Sequence, residues 1–190
     1  MLAVLELEMK DAFFWYLDGM YEKVRVIEEK VIGKSRADVV AVLPDRIIGF
    51  ELKSDSDSYQ RLKTQIKDYD KYFDYNYLVV GKTHRKQAQN HVPEHWGVIC
   101  VSDNLGGSGI EVETIKEAAP NPKLKMRWQL SLLWRSEMAN IQRLNGLYKY
   151  TGKKKLHIIN YLIEKVEPDL LKKQLCDELF ERDYNIQAEQ

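Results

Sequence analysis

Two short apolar runs on either side of a proline-containing turn place the strongest constraint on this fold. Residues 36–43 and 47–54 are rich in β-branched and apolar side chains, which is typical of buried strands. Between them lie Pro44, Asp45 and Arg46, and a proline fixes one backbone dihedral of a tight turn in advance. The two runs therefore predict an antiparallel β-hairpin.

Predicted helices and strands alternate on both sides of this hairpin. Apolar side chains at three- and four-residue steps predict a helix over 2–21, and two-residue alternation predicts a strand over 23–32. The later segments are a helix from one of several N-cap candidates in 54–57 to residue 73, a strand at 77–81, a short helix at 85–91, and strands at 96–102 and 110–115. This order predicts an α/β domain.

Pro120-Asn121-Pro122 interrupts the pattern and predicts a boundary. The sequence thus divides into an α/β domain over 1–119 and an extension over 122–190. Every pattern beyond the boundary is helical, with predicted helices at 128–144, 154–165 and 169–182.

Composition and length are typical of a soluble, globular protein with one domain and a small appendage. The chain has 190 residues, of which 44% are hydrophobic, and two cysteines cannot form a disulfide framework. No apolar run approaches the roughly 20 residues that cross a bilayer, and the N-terminus lacks the basic region of a signal peptide. We therefore expect a cytoplasmic protein without a membrane partner.

Charge is unevenly distributed, although 29 basic and 29 acidic side chains cancel over the whole chain. Residues 1–120 have a net charge of −4 and residues 161–190 also have −4, whereas residues 121–160 have nine basic side chains and one acidic one. A block of this kind can bind a polyanion whatever the total charge is. A solvated helix surface is the alternative interpretation of the same block.

Strand alternation predicts a group of charged side chains in the hairpin. Gly49, Glu51 and Lys53 share one face of their strand, with the glycine leaving room beside the two charges. If Pro44-Asp45 is a two-residue loop, Asp38 lies opposite Glu51, and a three-residue loop would shift that pairing by one.

Two carboxylates and a lysine are suited to metal-assisted phosphodiester chemistry. Two carboxylates can hold Mg²⁺ or Mn²⁺ together with water and substrate phosphate, and the cation lowers the pKa of bound water. A lysine beside them can position the attacking water and offset charge in the transition state. The alternative is that Glu51 and Lys53 form a structural pair on the surface.

The predicted helix after the hairpin adds polar groups at a helical spacing. Gln65 and Tyr69 are four residues apart and lie on one face, and Arg61 lies one turn earlier on that face. Directed at the hairpin, they could contact phosphate and water. The alternative is an amphipathic helix with Tyr69 in the core.

The order of Asp38, Glu51-x-Lys53 and Gln65-x-x-x-Tyr69 resembles the PD-(D/E)XK phosphodiesterase superfamily with a RecB-type Q-x-x-x-Y helix. More narrowly, the stretch from Arg36 to Gln65 is similar to uncharacterised bacterial and phage proteins related to MmcB-like DNA-repair nucleases. The resemblance implies a restriction-endonuclease-like mixed β-sheet flanked by helices, with a helical C-terminal extension. Ala37 stands before Asp38 where the signature has proline, and Pro44-Asp45 is interpreted as the turn.

The resemblance also implies roles for individual residues. Asp38 and Glu51 would bind the metal, Lys53 would be the catalytic lysine, and Gln65 would orient substrate or water. The first helix often supplies one more acid, for which Glu6 is the better candidate and Glu8 the second. Contacts to nucleic acid are expected from the remaining candidates, Arg36, Arg61, Tyr69, Lys153, Lys154 and Lys155.

These observations predict a Mg²⁺-dependent nuclease acting on DNA, although the residues do not distinguish DNA from RNA. One alternative is an inactive nuclease-like scaffold that binds nucleic acid through its extension. Another is a protein whose residues 121–190 dock a partner chain. Oligomeric state, including a homodimer, stays open at this point.

Overall fold

A computed structural model describes residues 6–103 and 109–183. Its six strands form one mixed sheet in sequence order: β1 (Arg25–Ile32), β2 (Ser35–Val42), β3 (Ile47–Lys53), β4 (Tyr75–Gly81), β5 (Gly97–Asp103) and β6 (Ile110–Lys116). Strands β1 to β3 are antiparallel, β3 to β5 are parallel, and β6 runs antiparallel to β5. Parallel neighbours require a crossover, which a helix supplies between β3 and β4.

Helices cover both faces of this sheet. They are α1 (Glu6–Met20), α2 (Leu62–Tyr72), α3 (Met126–Ser131), α4 (Arg135–Leu144), α5 (Lys155–Lys165) and α6 (Pro168–Glu181). The face with Ile48 and Phe50 packs on α1, and the opposite face packs on α2 and the C-terminal helices. The predicted α/β architecture, a mixed sheet flanked by helices with a helical C-terminal part, is confirmed.

The central hairpin has the two-residue loop on which the predicted pairing depends. Leu43 N donates to Arg46 O at 2.9 Å, which closes the turn around Pro44 and Asp45. In the resulting register Val39 faces Phe50 and Val42 faces Ile47. One step beyond the first of these pairs, Asp38 lies opposite Glu51, as expected for the shorter loop.

The helix after β3 starts later than its N-cap candidates predict. Asp57 Oδ2 accepts hydrogen bonds from Ser54 N at 2.8 Å and Ser54 Oγ at 2.7 Å, and Asp57 N donates to Ser54 O. This carboxylate therefore closes a local turn, a known competitor of helix initiation, and α2 begins only at Leu62.

Two other predicted helices differ from the structure. Two short 3₁₀ segments, Lys82–His84 and Ala88–His91, replace the helix predicted over 85–91. The helix predicted over 128–144 is divided into α3 and α4, because Trp134 is extended and its N–H donates to Glu137 at 2.6 Å, which starts a new helix. Among the described residues, no helix combines the length and apolar character needed to cross a bilayer.

Buried polar contacts fasten the C-terminal helices to the sheet. Asp74 accepts hydrogen bonds from Ile47 N at 2.8 Å, Gln129 Nε2 at 3.0 Å and Lys172 Nζ at 2.6 Å, which joins β3 to α3 and α6. Residues on both sides of the predicted boundary contribute to one continuous hydrophobic core. The division into domains 1–119 and 122–190 stays a prediction.

The turn between β1 and β2 is fastened to α2. Gly33 N donates to Tyr72 Oη at 3.1 Å, and Asp68 Oδ2 accepts from Lys34 N at 3.0 Å and Ser35 Oγ at 2.8 Å. Gly33 has a φ of +55°, and a Cβ there would lie 2.6 Å from the Asp68 carboxylate. Both the conformation and the close approach require glycine.

We expect Gly33→Ala to lower the free energy of unfolding by about 2–3 kcal/mol, since it adds a steric clash to the cost of left-handed backbone. Gly146→Ala is the matched control, because Gly146 has a φ of +63° but nothing lies within 4 Å of the position that a Cβ would take. That variant should lose only about 1 kcal/mol. Urea unfolding measures both, and equal losses would contradict the close packing at Asp68.

Candidate active site

Glu51 is the most enclosed member of the predicted site. Its side chain is fully buried on the α2 side of β3. Oε1 accepts hydrogen bonds from Lys53 Nζ at 2.5 Å and from Gln65 Nε2, and Oε2 accepts one from Tyr69 Oη at 2.9 Å. Burial raises the pKa of Glu51, while the charge of Lys53 and these donors act in the opposite direction.

Asp38 lies on the neighbouring strand and is partly exposed. Its Oδ2 accepts from Leu52 N at 2.8 Å, which ties the carboxylate to β3. Burial raises the pKa of Asp38 to about 7, and the negative charge of Glu51 adds to that increase. Because each strand positions one carboxylate by backbone register, the structure brings the two predicted ligands together.

Lys53 and Gln65 complete the predicted group around Glu51. Lys53 is only 5% exposed. Lysine is rarely buried without a charged partner, and Glu51 is that partner here. Gln65 uses its amide N–H on Glu51, and its Oε1 is buried without a hydrogen-bond partner among the described residues. A buried acceptor of this kind is costly unless a donor reaches it, and a water or a substrate hydroxyl is a donor of the right kind.

The predicted nucleic-acid contact of Tyr69 is wrong, because its side chain is fully buried. The Tyr69 hydroxyl lies within hydrogen-bonding distance of two acceptors, Glu51 Oε2 at 2.9 Å and Phe50 O at 3.1 Å, and it accepts from Asp38 N at 3.3 Å. Tyr69 therefore joins both strands and holds Glu51 in place. The alternative of a core tyrosine describes its location correctly.

Gly49 was predicted to leave room beside Glu51 and Lys53, but the structure has no such space. A Cβ on Gly49 would lie 2.2 Å from the ring of Phe73. The space belongs to that ring, which packs on β3 at the end of α2. The face with Glu51 and Lys53 is consequently an interior surface, reached only from its edge.

A cleft of about 520 Å³ leads to that edge. It lies between the β1–β2 turn and the first turns of α2, and its lining includes Asp38, Gln65, Arg36 and Arg61. Both arginines are exposed, and Arg36 forms an ion pair with Glu29. The structure thus brings these two predicted nucleic-acid contacts to the same opening as Asp38 and Gln65.

The predicted acid from the first helix lies at the limit of the described structure. Glu6 begins α1, but its side chain is outside the described residues. Glu8, the second candidate, is exposed on the same helix. A role for either residue stays a prediction.

The three lysines predicted to bind nucleic acid at 153–155 have different surroundings. Lys153 and Lys154 are exposed. Lys155 is half-buried and donates to Ser131 O at 2.7 Å, and burial lowers its pKa. Lys155 thereby anchors α5 to the end of α3, so its main contact is internal.

Glu29 is a residue of this region that sequence reasoning missed. It occupies the β1 position that faces Asp38, and with a φ of 53° it is the sole non-glycine residue with positive φ in the described chain. Its charge helps to raise the pKa of Asp38. Such strain costs about 1–3 kcal/mol and persists where surrounding contacts enforce it. No sequence pattern indicates it, since Glu28 and Glu29 read as ordinary strand residues.

The described residues contain no group of three or more His, Cys, Asp or Glu side chains arranged to hold a metal ion. Asp38 and Glu51 are the two predicted ligand carboxylates that the described structure brings together here. With Lys53 and the unpaired Gln65 oxygen, the group can bind a cation, orient a water and offset negative charge.

Comparison with known proteins places this chain among phage proteins. Protein cII of Enterobacteria phage P4 is 27% identical over 145 residues, which are 75% of this chain and 54% of that protein, so the chain spans about half its relative's length. A solved structure of Pyrococcus furiosus SfsA in complex with Ca²⁺ covers 62% of this chain and 64% of its own, with 15% identity and a TM-score of 0.34. A family model described as bacteriophage P4 protein cII matches residues 3–189. The chain belongs to the bacteriophage P4 protein cII family.

Proposed function

We propose that this protein is a metal-dependent nuclease that hydrolyses phosphodiester bonds in DNA. One observation carries the proposal: a fully buried glutamate held by a lysine, a glutamine and a tyrosine, next to a second carboxylate at the inner side of an arginine-lined cleft. A divalent cation would add positive charge beside the two carboxylates, and the cleft would let a phosphate approach them.

The residues present fit Mg²⁺ or Mn²⁺. The buried Glu51 and the partly exposed Asp38 both interact with the positive charge of Lys53, and a divalent cation would offset the remaining negative charge. Asp38 and Glu51 would hold it, because Glu51 Oε2 accepts one hydrogen bond among the described contacts and retains acceptor capacity. Mg²⁺ commonly takes one or two carboxylates and completes its shell with water and phosphate.

Each residue has a role in hydrolysis that follows from its contacts. When bound, the cation would acidify a water and polarise the phosphate. Lys53 Nζ, fixed by Glu51, would place the attacking water and offset charge that develops on the phosphate oxygens. Gln65 Oε1 would accept a hydrogen bond from that water, which would give the buried oxygen a partner. Tyr69 would keep Glu51 oriented.

The resemblance to the PD-(D/E)XK superfamily supports the same assignment, and so does the similarity of residues 36–65 to uncharacterised bacterial and phage proteins related to MmcB-like DNA-repair nucleases. Asp38, Glu51, Lys53 and Gln65 occupy the positions that the motif requires, on two adjacent strands and the following helix. DNA is the proposed substrate, and DNA repair the proposed setting.

An inactive nuclease-like scaffold that binds nucleic acid is the second candidate. The observation that favours it is the engagement of Glu51, whose two oxygens already accept from Lys53, Gln65 and Tyr69. In that case the three contacts would serve stability alone. Metal-dependent cleavage separates the two functions directly.

We expect the purified chain to cleave DNA with Mg²⁺ or Mn²⁺ and to be inactive in EDTA. Single-stranded, duplex and branched labelled DNA should be tested in parallel on denaturing gels. Glu51→Gln and Lys53→Met should each lower the rate by about 10²–10³-fold, since each removes an interaction with the reacting groups.

Matched variants keep this test specific. Asp45→Asn and Lys63→Met change an exposed carboxylate and an exposed lysine near the same elements, and should retain full activity. Thermal unfolding verifies that all four variants fold. If no DNA is cleaved with either metal, the proposed nuclease activity is wrong and the inactive nucleic-acid-binding scaffold is the remaining candidate.

Asp38 should make stability depend on pH in the metal-free protein. Its carboxyl has an ordinary pKa of 3.8 and a folded-state pKa of about 7, so the folded protein retains a proton that the unfolded chain loses. Stability from this group is therefore full below about pH 4, falls as the pH rises to about 7, and is constant above. Asp38→Asn should be more stable than the wild type by about 2 kcal/mol at pH 8, with the difference vanishing near pH 4. Urea unfolding in EDTA measures this, and a stability difference that does not change with pH would contradict the raised pKa of Asp38.

Mg²⁺ should reverse that destabilisation at pH 8. A concentration of ten times Kd contributes about 1.4 kcal/mol, or roughly 3–5 °C in Tm for a chain of this size. Asp38→Asn should show little of this increase, because it lacks one ligand carboxylate. An equal Tm increase in both proteins would contradict binding at Asp38, whatever the cleavage assay shows.

A further inference from the structure

Three basic side chains lie close together at the opening of the cleft. Lys34, Arg36 and Arg61 line it from two sides, and Asp38 is the acidic residue in its lining. The side chains of Lys34 and Arg61 are exposed and make no ion pair or hydrogen bond to other described residues. These cations are therefore available to an external anion.

Some cations of the predicted basic block at 121–160 have internal contacts, whereas others, including Lys153 and Lys154, are exposed. Lys123 pairs with Asp70 at 3.0 Å, Arg135 donates to Lys153 O at 2.8 Å, and Lys155 donates to Ser131 O. The cleft offers the exposed charges of Lys34 and Arg61, beside Arg36 in its ion pair with Glu29, next to the candidate catalytic group.

Fixed walls give this cleft a preformed shape. Asp68 and Tyr72 hold the β1–β2 turn against α2 by hydrogen bonds. Gly33 packs so closely on Asp68 that a Cβ would not fit between the turn and the helix. A preformed site binds without the entropic cost of ordering its walls. The same fastening prevents the turn from swinging away to admit a wider ligand.

The size and lining of the cleft favour one strand over a duplex. Its volume of about 520 Å³ lies in the range of small-molecule sites, roughly 300–1,000 Å³. Val31, which is 69% exposed, lines the cleft beside the cations. An apolar side chain among cations can contact an unstacked base, and bases are unstacked in single strands rather than in duplexes.

We propose that the cleft binds the backbone of a single nucleic-acid strand. Lys34, Arg36 and Arg61 contact successive phosphates, and Thr64, at the same opening, offers a hydroxyl. The strand lies between the β1–β2 turn and α2, with one phosphate directed at Asp38. Only the fate of that phosphate rests on the proposed function, since binding in the cleft requires no metal.

Fluorescence anisotropy with the full chain in EDTA tests the proposal without cleavage. The probes are a labelled 20-nucleotide single strand of mixed sequence and the duplex of the same sequence, each titrated from about 50 to 250 mM salt. The test variant combines Lys34→Gln, Arg36→Gln and Arg61→Gln. The control combines Lys63→Gln, Lys67→Gln and Lys173→Gln, which remove the same charge from exposed positions outside the cleft.

We expect the wild type to bind the single strand at least tenfold more tightly than the duplex. The cleft variant should lose at least tenfold in single-strand affinity at 100 mM salt. Its slope of log K against log salt should fall by about 2, since each phosphate contact in a single strand contributes about 0.7. The control should retain the wild-type slope.

Equal losses in the two triple variants, or a duplex bound as tightly as the single strand, would overturn the proposal. The cleavage assay separates this result from failure of the nuclease. If the protein binds the strand through the cleft but cleaves no DNA, the proposed strand site stands and the proposed nuclease activity is wrong. If the wild type cleaves DNA and the cleft variant keeps its single-strand affinity, the proposed strand site is wrong and the proposed nuclease activity stands.

Discussion

Glu51 carries a carboxylate into the interior of the protein, where its charge has to be balanced without water. A buried carboxylate is tolerated only when it is paired and hydrogen-bonded. Three donors from β3 and α2 satisfy this requirement, and each comes from a residue with a fixed position relative to the strand. The close packing of α2 on the sheet is therefore coupled to the electrostatics of one side chain.

Tyr69 makes that coupling rigid. Its hydroxyl contacts the backbone of β2 and β3 as well as Glu51, so the distance between the two carboxylate-bearing strands and the helix is set at one point. One turn along α2, Tyr72 fixes the β1–β2 turn in a similar way. The helix thus positions the interior charges and the cleft wall through residues of the same face, which links the shape of the cleft to the geometry of the site.

The sequence predicted those features that depend on local chemistry. Pro44 and the strand alternation indicated the hairpin and its register, and register alone places Asp38 opposite Glu51. Features decided by distant contacts, or by a local turn that competes with a helix start, were not predictable. Asp57 diverts the start of α2 into a turn, the Phe73 ring fills the space at Gly49, and the left-handed conformation of Glu29 has no pattern in the sequence.

The neutral total charge of the chain has a structural explanation in three parts. Some acidic groups are interior, and their charge is balanced by Lys53 or is available to a cation. Two cations of the 121–160 block, Arg135 and Lys155, donate hydrogen bonds to backbone carbonyls and so also have a structural role. The cations of the cleft are fewer, but they are exposed beside an acidic site that a polyanion would otherwise avoid. Because long-range attraction weakens within about 10 Å at 0.1 M salt, charges at the opening matter more for binding than the sum over the chain.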